Sequence, residues 1–361
     1  MPKHTSSPSQ HWQSFDYRGR RFFDVVVPAH HDRQVRLTVA QKIADRYEVQ
    51  DVLTRGGGGV ILVAKDLHTG SPVLVKAFLE YNTGRNDLSE PLEGVIESLR
   101  RSRHHLQTER RILVQLHNIG CNAVPHPNDY VFDANPALEG PHKTDAGETW
   151  QFDDVALITS EPYLVMQYVP GKSLQDLLEK QYSQGFEEPV ALAIIDQVAR
   201  VIELVEQPLK MSNGQTWELV YQDLKPGNIL VDRSGQTTVL DFGGCQLIID
   251  NMLVLNGSHS PGYCAPECGK WDEAITPAAD CYGLGSTLYH MLSGFNPRRQ
   301  LPKKRPSHGP QAVHISTKPL ARQCSPEVVE LVSRCVAWEP EARFQNAAEF
   351  RAALAPLLQP E

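Results

Sequence analysis

Asp223, Lys225, Asn228 and Asp241 bring two carboxylates, an amine and an amide into one short stretch of chain. Those groups suit one kind of chemistry. A carboxylate can take or orient the proton of an attacking hydroxyl, and an amine two residues on can offset negative charge as it develops. Amide and carboxylate oxygens are the hard donors that Mg²⁺ accepts alongside phosphate oxygens. Upstream, Gly56-Gly57-Gly58-Gly59 admits positive φ and lets backbone N–H groups approach an anion closely. Lys76 follows, with Glu97 and Glu109 as candidate partners. Singly, each has a plainer account: a polar loop residue, a flexible turn, a lysine whose stem snorkels along apolar surface. Their order along one chain calls for more.

The elements that would position them can be read from periodicity. Arg21 to Val27 and Val35 to Val39 alternate weakly and predict short strands. Tyr47 to Val63 reads as strand, glycine turn, strand, and Ser71 to Phe78 as a further strand carrying Lys76. Residues 80–95 are polar and punctuated by glycine and proline, which predicts a loop. A helix is expected from there to about Leu116, with Ile112, Leu113 and Leu116 on one face. A second long loop is expected over 135–153 and a buried strand over Tyr163 to Tyr168. After Gly171 the pattern turns helical, with Ser173 as N-cap for Leu174 to Gln181. A long apolar helix over Val190 to Val205 and a buried helix over 282–293 follow. Asn296 to Pro310 holds four prolines and five basic residues, so a solvated loop is expected there. A mainly β part thus joins a mainly helical part near Val169.

Composition narrows the class. With 41% apolar and 22% charged residues, the 361-residue chain has the make-up of a soluble globular protein of one large or two ordinary domains. A net charge of −8 argues against a duplex nucleic-acid partner, which demands a basic face. No apolar stretch reaches the roughly 18 residues of a membrane span, and the N-terminus lacks a signal peptide's apolar core. No membrane partner and a cytoplasmic location are expected. Seven scattered cysteines without a Cys-x-x-Cys pair suit reduced thiols better than a disulfide frame. Cys264 and Cys268 could share one face of a helix as metal ligands, a reading weakened by the Ala265-Pro266 between them.

Three segments then fall into a familiar order. They are Tyr221-Gln222-Asp223-Leu224-Lys225-Pro226-Gly227-Asn228-Ile229-Leu230, Asp241-Phe242-Gly243 and Ala265-Pro266-Glu267. In spacing and order they resemble the catalytic loop, the magnesium loop and the end of the activation segment of protein kinases. The resemblance runs over about residues 48–355. Asp-Leu-Lys-Pro-Gly-Asn-Ile-Leu is similar to the bacterial, eukaryotic-like (Hanks-type) Ser/Thr branch. The resemblance implies a bilobal α+β fold. Residues 1–47 would be an N-terminal extension of unassigned role, and 48–169 a mainly β N-lobe with one key helix and the hinge. Insertions are expected at about 80–100 and 135–153, and a mainly α C-lobe over 170–361.

Residue by residue, the resemblance implies that Asp223 orients the attacking hydroxyl and Lys225 offsets charge on the γ-phosphate of ATP. Asn228 and Asp241 would hold Mg²⁺. Lys76 would contact the α- and β-phosphates with Glu109 as its partner, and Glu97, nearer in sequence, as the runner-up. Gly56, Gly57, Gly58 and Gly59 would cover the phosphates, although Thr54 takes the first glycine position and Gly58 the aromatic tip. Ile61 and Leu230 would sandwich the adenine between the lobes, with Met166 as gatekeeper and Gln167-Tyr168-Val169 as hinge. Leu74 stands where the family carries a small alanine, and either tightens the site or shifts the nucleotide. Glu267 with Arg343 resembles the family's buried ion pair, and Asp280 the aspartate that holds the catalytic-loop backbone. Tyr221, Phe242 and Leu113 would stack into a spine.

The implied activity is Mg²⁺-dependent transfer of the γ-phosphoryl of ATP to Ser/Thr hydroxyls. Pro261-Gly262-Tyr263-Cys264-Ala265-Pro266-Glu267 favours protein substrates over small molecules. Gln222 replaces the arginine that an activation-loop phosphate holds in many kinases, making the loop non-RD. Asp241 to Glu267 contains no threonine and only Ser258 and Ser260, the latter matching a residue that contacts the catalytic aspartate and lysine. Activity without activation-loop phosphorylation is therefore expected. Lacking the anchor and sensor domain of receptor-type bacterial members, the chain is expected to be regulated by a partner, by its N-terminal extension, or hardly at all. The alternative is a pseudokinase scaffold that binds partners or nucleotide without turnover. Thr54, Leu74, Tyr221 and Gln222 motivate it; the intact Lys76, Asp223, Asn228 and Asp241 oppose it.

Overall fold

Val60-Ile61-Leu62-Val63-Ala64 and Val73-Leu74-Val75 are apolar without alternation, which marks strands buried on both faces. The computed structural model describes residues 12–28, 34–55, 59–78, 92–134, 142–143, 149–150, 160–255, 260–268, 275–301 and 314–358. Two compact units result, one of Met1–Arg111 with His126–Tyr168, the other of Ile112–Pro125 with Val169–Glu361.

The first unit is the β-rich N-lobe. β1 (Gln13–Tyr17), β2 (Arg20–Pro28) and β3 (Gln34–Ala40) make an antiparallel sheet in that order. β4 (Lys42–Ile43), β5 (Tyr47–Arg55), β6 (Gly59–Asp66) and β7 (Pro72–Phe78) begin a second sheet. After α1 (Leu92–Asn118) come β8 (Pro127–Ala134), the short pair β9 (His142–Lys143) and β10 (Thr149–Trp150), and β11 (Ser160–Gln167). The second sheet is antiparallel with order β4-β5-β6-β7-β11-β8. Phe23 and Val39 of the first sheet share one apolar cluster with Val60, Leu62, Val75 and Tyr163 of the second. Arg20 fastens the seam. It makes a bidentate pair with Asp133 at 2.6 and 2.7 Å and donates to the Lys42 carbonyl at 2.9 Å.

Two expectations need correcting here. The loop expected over residues 80–95 gives way to helix from Leu92 onward. Leu92, Val95, Ile96 and Leu99 continue the helical spacing toward the N-terminus, and the polar residues between them concealed it. The long loop expected over 135–153 contains the antiparallel β9/β10 pair.

The second unit is the helical C-lobe. It holds β12 (Lys172–Ser173), α2 (Leu174–Lys180), α3 (Glu188–Val205), β13 (Leu209–Lys210), β14 (Thr216–Val220), β15 (Ile229–Val231) and β16 (Thr237–Val239). β17 (Gln246–Ile249), β18 (Met252–Leu255), α4 (Ala278–Ser293), α5 (Pro326–Cys335) and α6 (Ala347–Leu354) complete it. Ser173 caps α2 by accepting the Asp176 N–H at 3.0 Å, which satisfies one of the free donors of the first turn. Every residue of α4 is buried, so this helix is the lobe's axis. Two small sheets, β12-β15-β16 and β13-β14-β17-β18, carry the loops between them. The arrangement is the bilobal α+β fold expected from sequence. Among the described residues no helix is long and apolar enough to cross a membrane.

Candidate active site

β14 leads into a loop whose backbone is fixed from below. Asp280, wholly buried in the first turn of α4, accepts the N–H of Tyr221 at 2.8 Å and of Gln222 at 2.7 Å. Burial raises its pKa to about 6, and the two amide donors oppose that rise by favouring the carboxylate. Gln222 is held at φ 63°, a left-handed conformation that turns the chain sharply before Asp223. Tyr221 donates its hydroxyl to the Leu240 carbonyl and meets Phe242 edge to face at 5.2 Å.

Asp223, Lys225 and Asn228 are brought together. Lys225 Nζ lies 2.6 Å from Asp223 Oδ2 and donates to Ser260 Oγ at 2.8 Å. Asn228 Nδ2 donates to the Asp223 carbonyl at 2.9 Å. Asp223 Oδ1 is buried with no hydrogen-bond partner. Burial raises the Asp223 pKa, Lys225 and Ser260 oppose the rise, and the nearby charge of Asp241 adds to it. One carboxylate oxygen is thus anchored, and the other is buried without a partner. Asp241 itself adopts φ 62° at the head of the 3₁₀ turn Phe242–Gly244. Leu240 N–H on the Asn228 carbonyl, at 2.8 Å, ties the strand before Asp241 to the Asn228 turn.

In the first unit, β7 presents Lys76 to α1. Lys76 Nζ is 2.6 Å from Glu109 Oε2, with side chains 4% and 1% exposed, so water screens the pair very little. Glu97 also lies on α1, but its side chain is outside the described residues. Pairings Ile61↔Lys76, Val63↔Leu74 and Leu74↔Met166 put Ile61, Leu74, Lys76 and Met166 on one face of the sheet. All four are buried. Gly59 sits where an added Cβ would lie 2.8 Å from the Ala77 carbonyl, so only glycine fits. Gly56, Gly57 and Gly58 lie outside the described residues, as does Ser258. Gln167 is exposed at the end of β11, its N–H bonded to the His126 carbonyl at 2.8 Å; Val169 is half-buried, and Leu230 is buried in β15.

The segment between β18 and α4 is anchored by Arg343. Its guanidinium pairs with Glu267 at 2.7 and 2.9 Å and also donates to the carbonyls of Ala337, Ala278 and Trp338. Only a planar fork with five donors satisfies that set. Cys264 and Cys268 lie in turns rather than on a helix, and all seven cysteines are free. Sequence reading passed over His290, whose Nδ1 lies 2.7 Å from the Tyr263 hydroxyl; a histidine inside a wholly buried helix leaves little signal in the sequence.

A family model for the protein kinase domain matches residues 148–353, more than half of the chain. The chain belongs to the protein kinase domain family. This kinase domain is 25% identical over 331 residues to the serine/threonine-protein kinase PknB of Mycolicibacterium smegmatis, a match covering 88% of this chain and 44% of that protein. It is 26% identical over 326 residues to the serine/threonine-protein kinase PknA of Mycobacterium tuberculosis, covering 88% and 62%. The chain thus spans less than two thirds of the length of either relative. A solved structure described as the PpkA-294 apo form superposes with a TM-score of 0.54 at 19% identity, over 87% of this kinase domain and 96% of that chain. That likeness concerns the fold.

Proposed function

We propose that this kinase domain transfers the γ-phosphoryl of ATP to Ser/Thr hydroxyls of protein substrates. The observation that carries the reading is Asp223: buried, anchored by Lys225, and with Oδ1 left without a hydrogen-bond partner. In this role Oδ1 accepts or orients the proton of the incoming hydroxyl, while Lys225 balances charge on the transferring group. In this reading Lys76, fixed by Glu109, addresses the α- and β-phosphates, and the first unit's Ile61, Leu74, Met166 and Gln167 are proposed to contact the base. The role proposed for the glycine run that ends at Gly59 is to cover the phosphates.

Mg²⁺ would be held by Asn228 and Asp241. The donor set fits, since an amide and a carboxylate are hard oxygen ligands, and Asp241 already raises the Asp223 pKa, so negative charge accumulates there. When bound, the ion neutralises phosphate charge. Among the described residues no three His, Cys, Asp or Glu cluster as a cage, and Mg²⁺ commonly needs only one or two carboxylates plus substrate phosphates.

The printed names of PknB and PknA support Ser/Thr specificity. Activity without activation-loop phosphorylation is supported by Gln222, whose neutral amide offers a phosphate no charged fork. Seven free thiols favour a reducing, cytoplasmic setting. The test is transfer from γ-labelled ATP to a generic Ser/Thr substrate with Mg²⁺, beside Asp241→Ala and after phosphatase treatment. Label on serine or threonine that vanishes in the variant and survives phosphatase is expected. Nucleotide binding without any label would turn the reading to a scaffold.

A further inference from the structure

From Arg100 to its end, α1 carries the arginines Arg100, Arg101, Arg103, Arg110 and Arg111 and a single carboxylate, Glu109. Glu109 is buried against Lys76, so the outer face of this stretch keeps no negative charge. Arg100, Arg101, His104, Arg110 and Arg111 are exposed, whereas Leu106, Thr108 and Glu109 are buried. At about 100° per residue, Arg100, His104 and Arg111 fall within roughly 40° of one another, away from Glu109, with Arg110 beside them. Like charges this close on a helix repel. Among the described residues, Arg100, Arg110 and Arg111 have no carboxylate at ion-pair distance. Other arginines of this lobe are matched, Arg20 with Asp133 and Arg46 with Asp66. The outer face of α1 is thus a positive ridge on a chain of net charge −8.

An aromatic ring open to solvent borders the ridge. Phe132 of β8 is 44% exposed and lies under the Arg103 guanidinium, 5.3 Å from the ring centre. Tyr130 meets Phe132 edge to face at 5.2 Å and donates its hydroxyl to the Arg103 carbonyl at 3.4 Å. Arg103 is held there by donating to the Ser160 carbonyl at 3.2 Å.

We propose that the outer face of α1 and Phe132 together dock an acidic segment of another protein. Its carboxylates pair with Arg100, Arg110 and Arg111, and one apolar side chain covers Phe132. The arginine fork matches carboxylate geometry, and arginine beside an exposed aromatic ring is the composition of protein interfaces. Arg100 to Arg111 spans about 16 Å along the helix axis, the length of roughly five extended residues. A nucleic acid would bring its phosphates against a chain that is acidic as a whole. A membrane surface favours a helix that offers it an apolar face, and α1 buries that face. The proposal does not depend on phosphoryl transfer.

The experiment measures fluorescence anisotropy of a dye-labelled peptide, six glutamates around one leucine, with the full-length chain. Arg100→Gln/Arg111→Gln is compared with Arg233→Gln/Arg322→Gln, a pair of exposed arginines in the other unit that changes net charge equally. The α1 pair is expected to weaken binding at least tenfold and the distant pair less than twofold, with affinity falling as salt rises. Phe132→Ser should weaken it about threefold. Glutamine keeps the helix propensity of arginine, so the melt of the α1 pair should match wild type. Hydrogen exchange over residues 100–111 should slow in wild type when the peptide binds. Failure of wild type to bind would overturn the proposal. Equal weakening by the two pairs would also sink it, since the overall charge rather than the ridge would be at work. So would an unchanged affinity in Phe132→Ser, because a bare polyanion needs only charge. Tighter binding of a DNA duplex or of anionic vesicles through the same arginines would give the face to that partner instead.

Discussion

Lys76 and Glu109 are each almost wholly removed from water, so the charge of either is tolerable only beside the other. Lys76→Met strands a buried carboxylate and is expected to destabilise the domain by roughly 3–5 kcal/mol. Adding Glu109→Leu removes the stranded charge and should restore most of the melting temperature without restoring phosphoryl transfer. Thermal melts beside a transfer assay separate the two roles. A double variant as fragile as the single one would mean that the stability resides in groups other than the pair. At this scale much was legible in the sequence. Asp223, Lys225 and Asn228 were singled out from residue type and spacing, and the structure brings their side chains together. Asp280 and Arg343 were named through the resemblance alone, and the structure shows Asp280 accepting two backbone amides and Arg343 pairing with Glu267. Gln246 was not legible: its side chain bonds both backbone groups of Ile275, 29 positions away, and no local pattern links an amide to a distant main chain.

β6 and β7 run so close that the Ala77 carbonyl would lie 2.8 Å from a Cβ at Gly59. The obstructing atom is backbone, so it cannot swing aside. Gly59→Ala should therefore part the ladder at Val60↔Ala77 and Ile61↔Lys76, displacing Lys76 as well as costing about 1–3 kcal/mol in strain. The check is a lowered melting temperature together with faster exchange at residues 60–62; normal exchange there would show that the strands adjust elsewhere. Elements were partly legible. Ser173 as an N-cap and the apolar α3 followed from local chemistry that needs no tertiary partner. The β17/β18 hairpin went unread although its turn was on the page. Asp250 and Asn251, both at positive φ, form a two-residue connection of the kind that suits asparagine and aspartate. The apolar residues on either side hid it, because neither flank alternates. α1 was read short because polar residues were given more weight than the spacing of the apolar ones.

Acid should weaken the whole molecule through one buried and one half-buried histidine. Burial pushes His290 and His314 down to about 4; each Nδ1 shares a hydrogen bond with a tyrosine hydroxyl, Tyr263 and Tyr282 respectively, and Arg343 further disfavours charge on His314. Their folded pKa lies below the unfolded value near 6.5, so their contribution is complete above about pH 6.5 and is lost as pH falls through 4. At roughly 1.4 kcal/mol per pKa unit, His290 alone withdraws on the order of 3 kcal/mol. Asp280 and Glu206, raised by burial to about 6 and about 8, act in the opposite sense. The histidine share is thus read as the difference between wild type and His290→Gln melts at pH 7 and pH 4.5; parallel curves would discount it. The N-terminal sheet makes the second case at this scale. Unbroken apolar runs in β6 and β7 announced that both faces are covered, but periodicity cannot say which segment covers them, and residues 1–47 read as an extension. In the structure Phe22, Phe23 and Val39 are buried, and Arg20 pairs with a buried Asp133. Deleting residues 1–40 should expose the apolar face that includes Val60, Leu62, Val75 and Val165, at a cost of roughly 5 kcal/mol for the lost side chains. The shortened chain should bind a hydrophobic dye, melt earlier and aggregate, and Arg20→Met should move part of the way. A shortened chain that stays monomeric with an unchanged melt would show that the six-stranded sheet stands without its cover, and that β1–β3 must be kept for something other than stability.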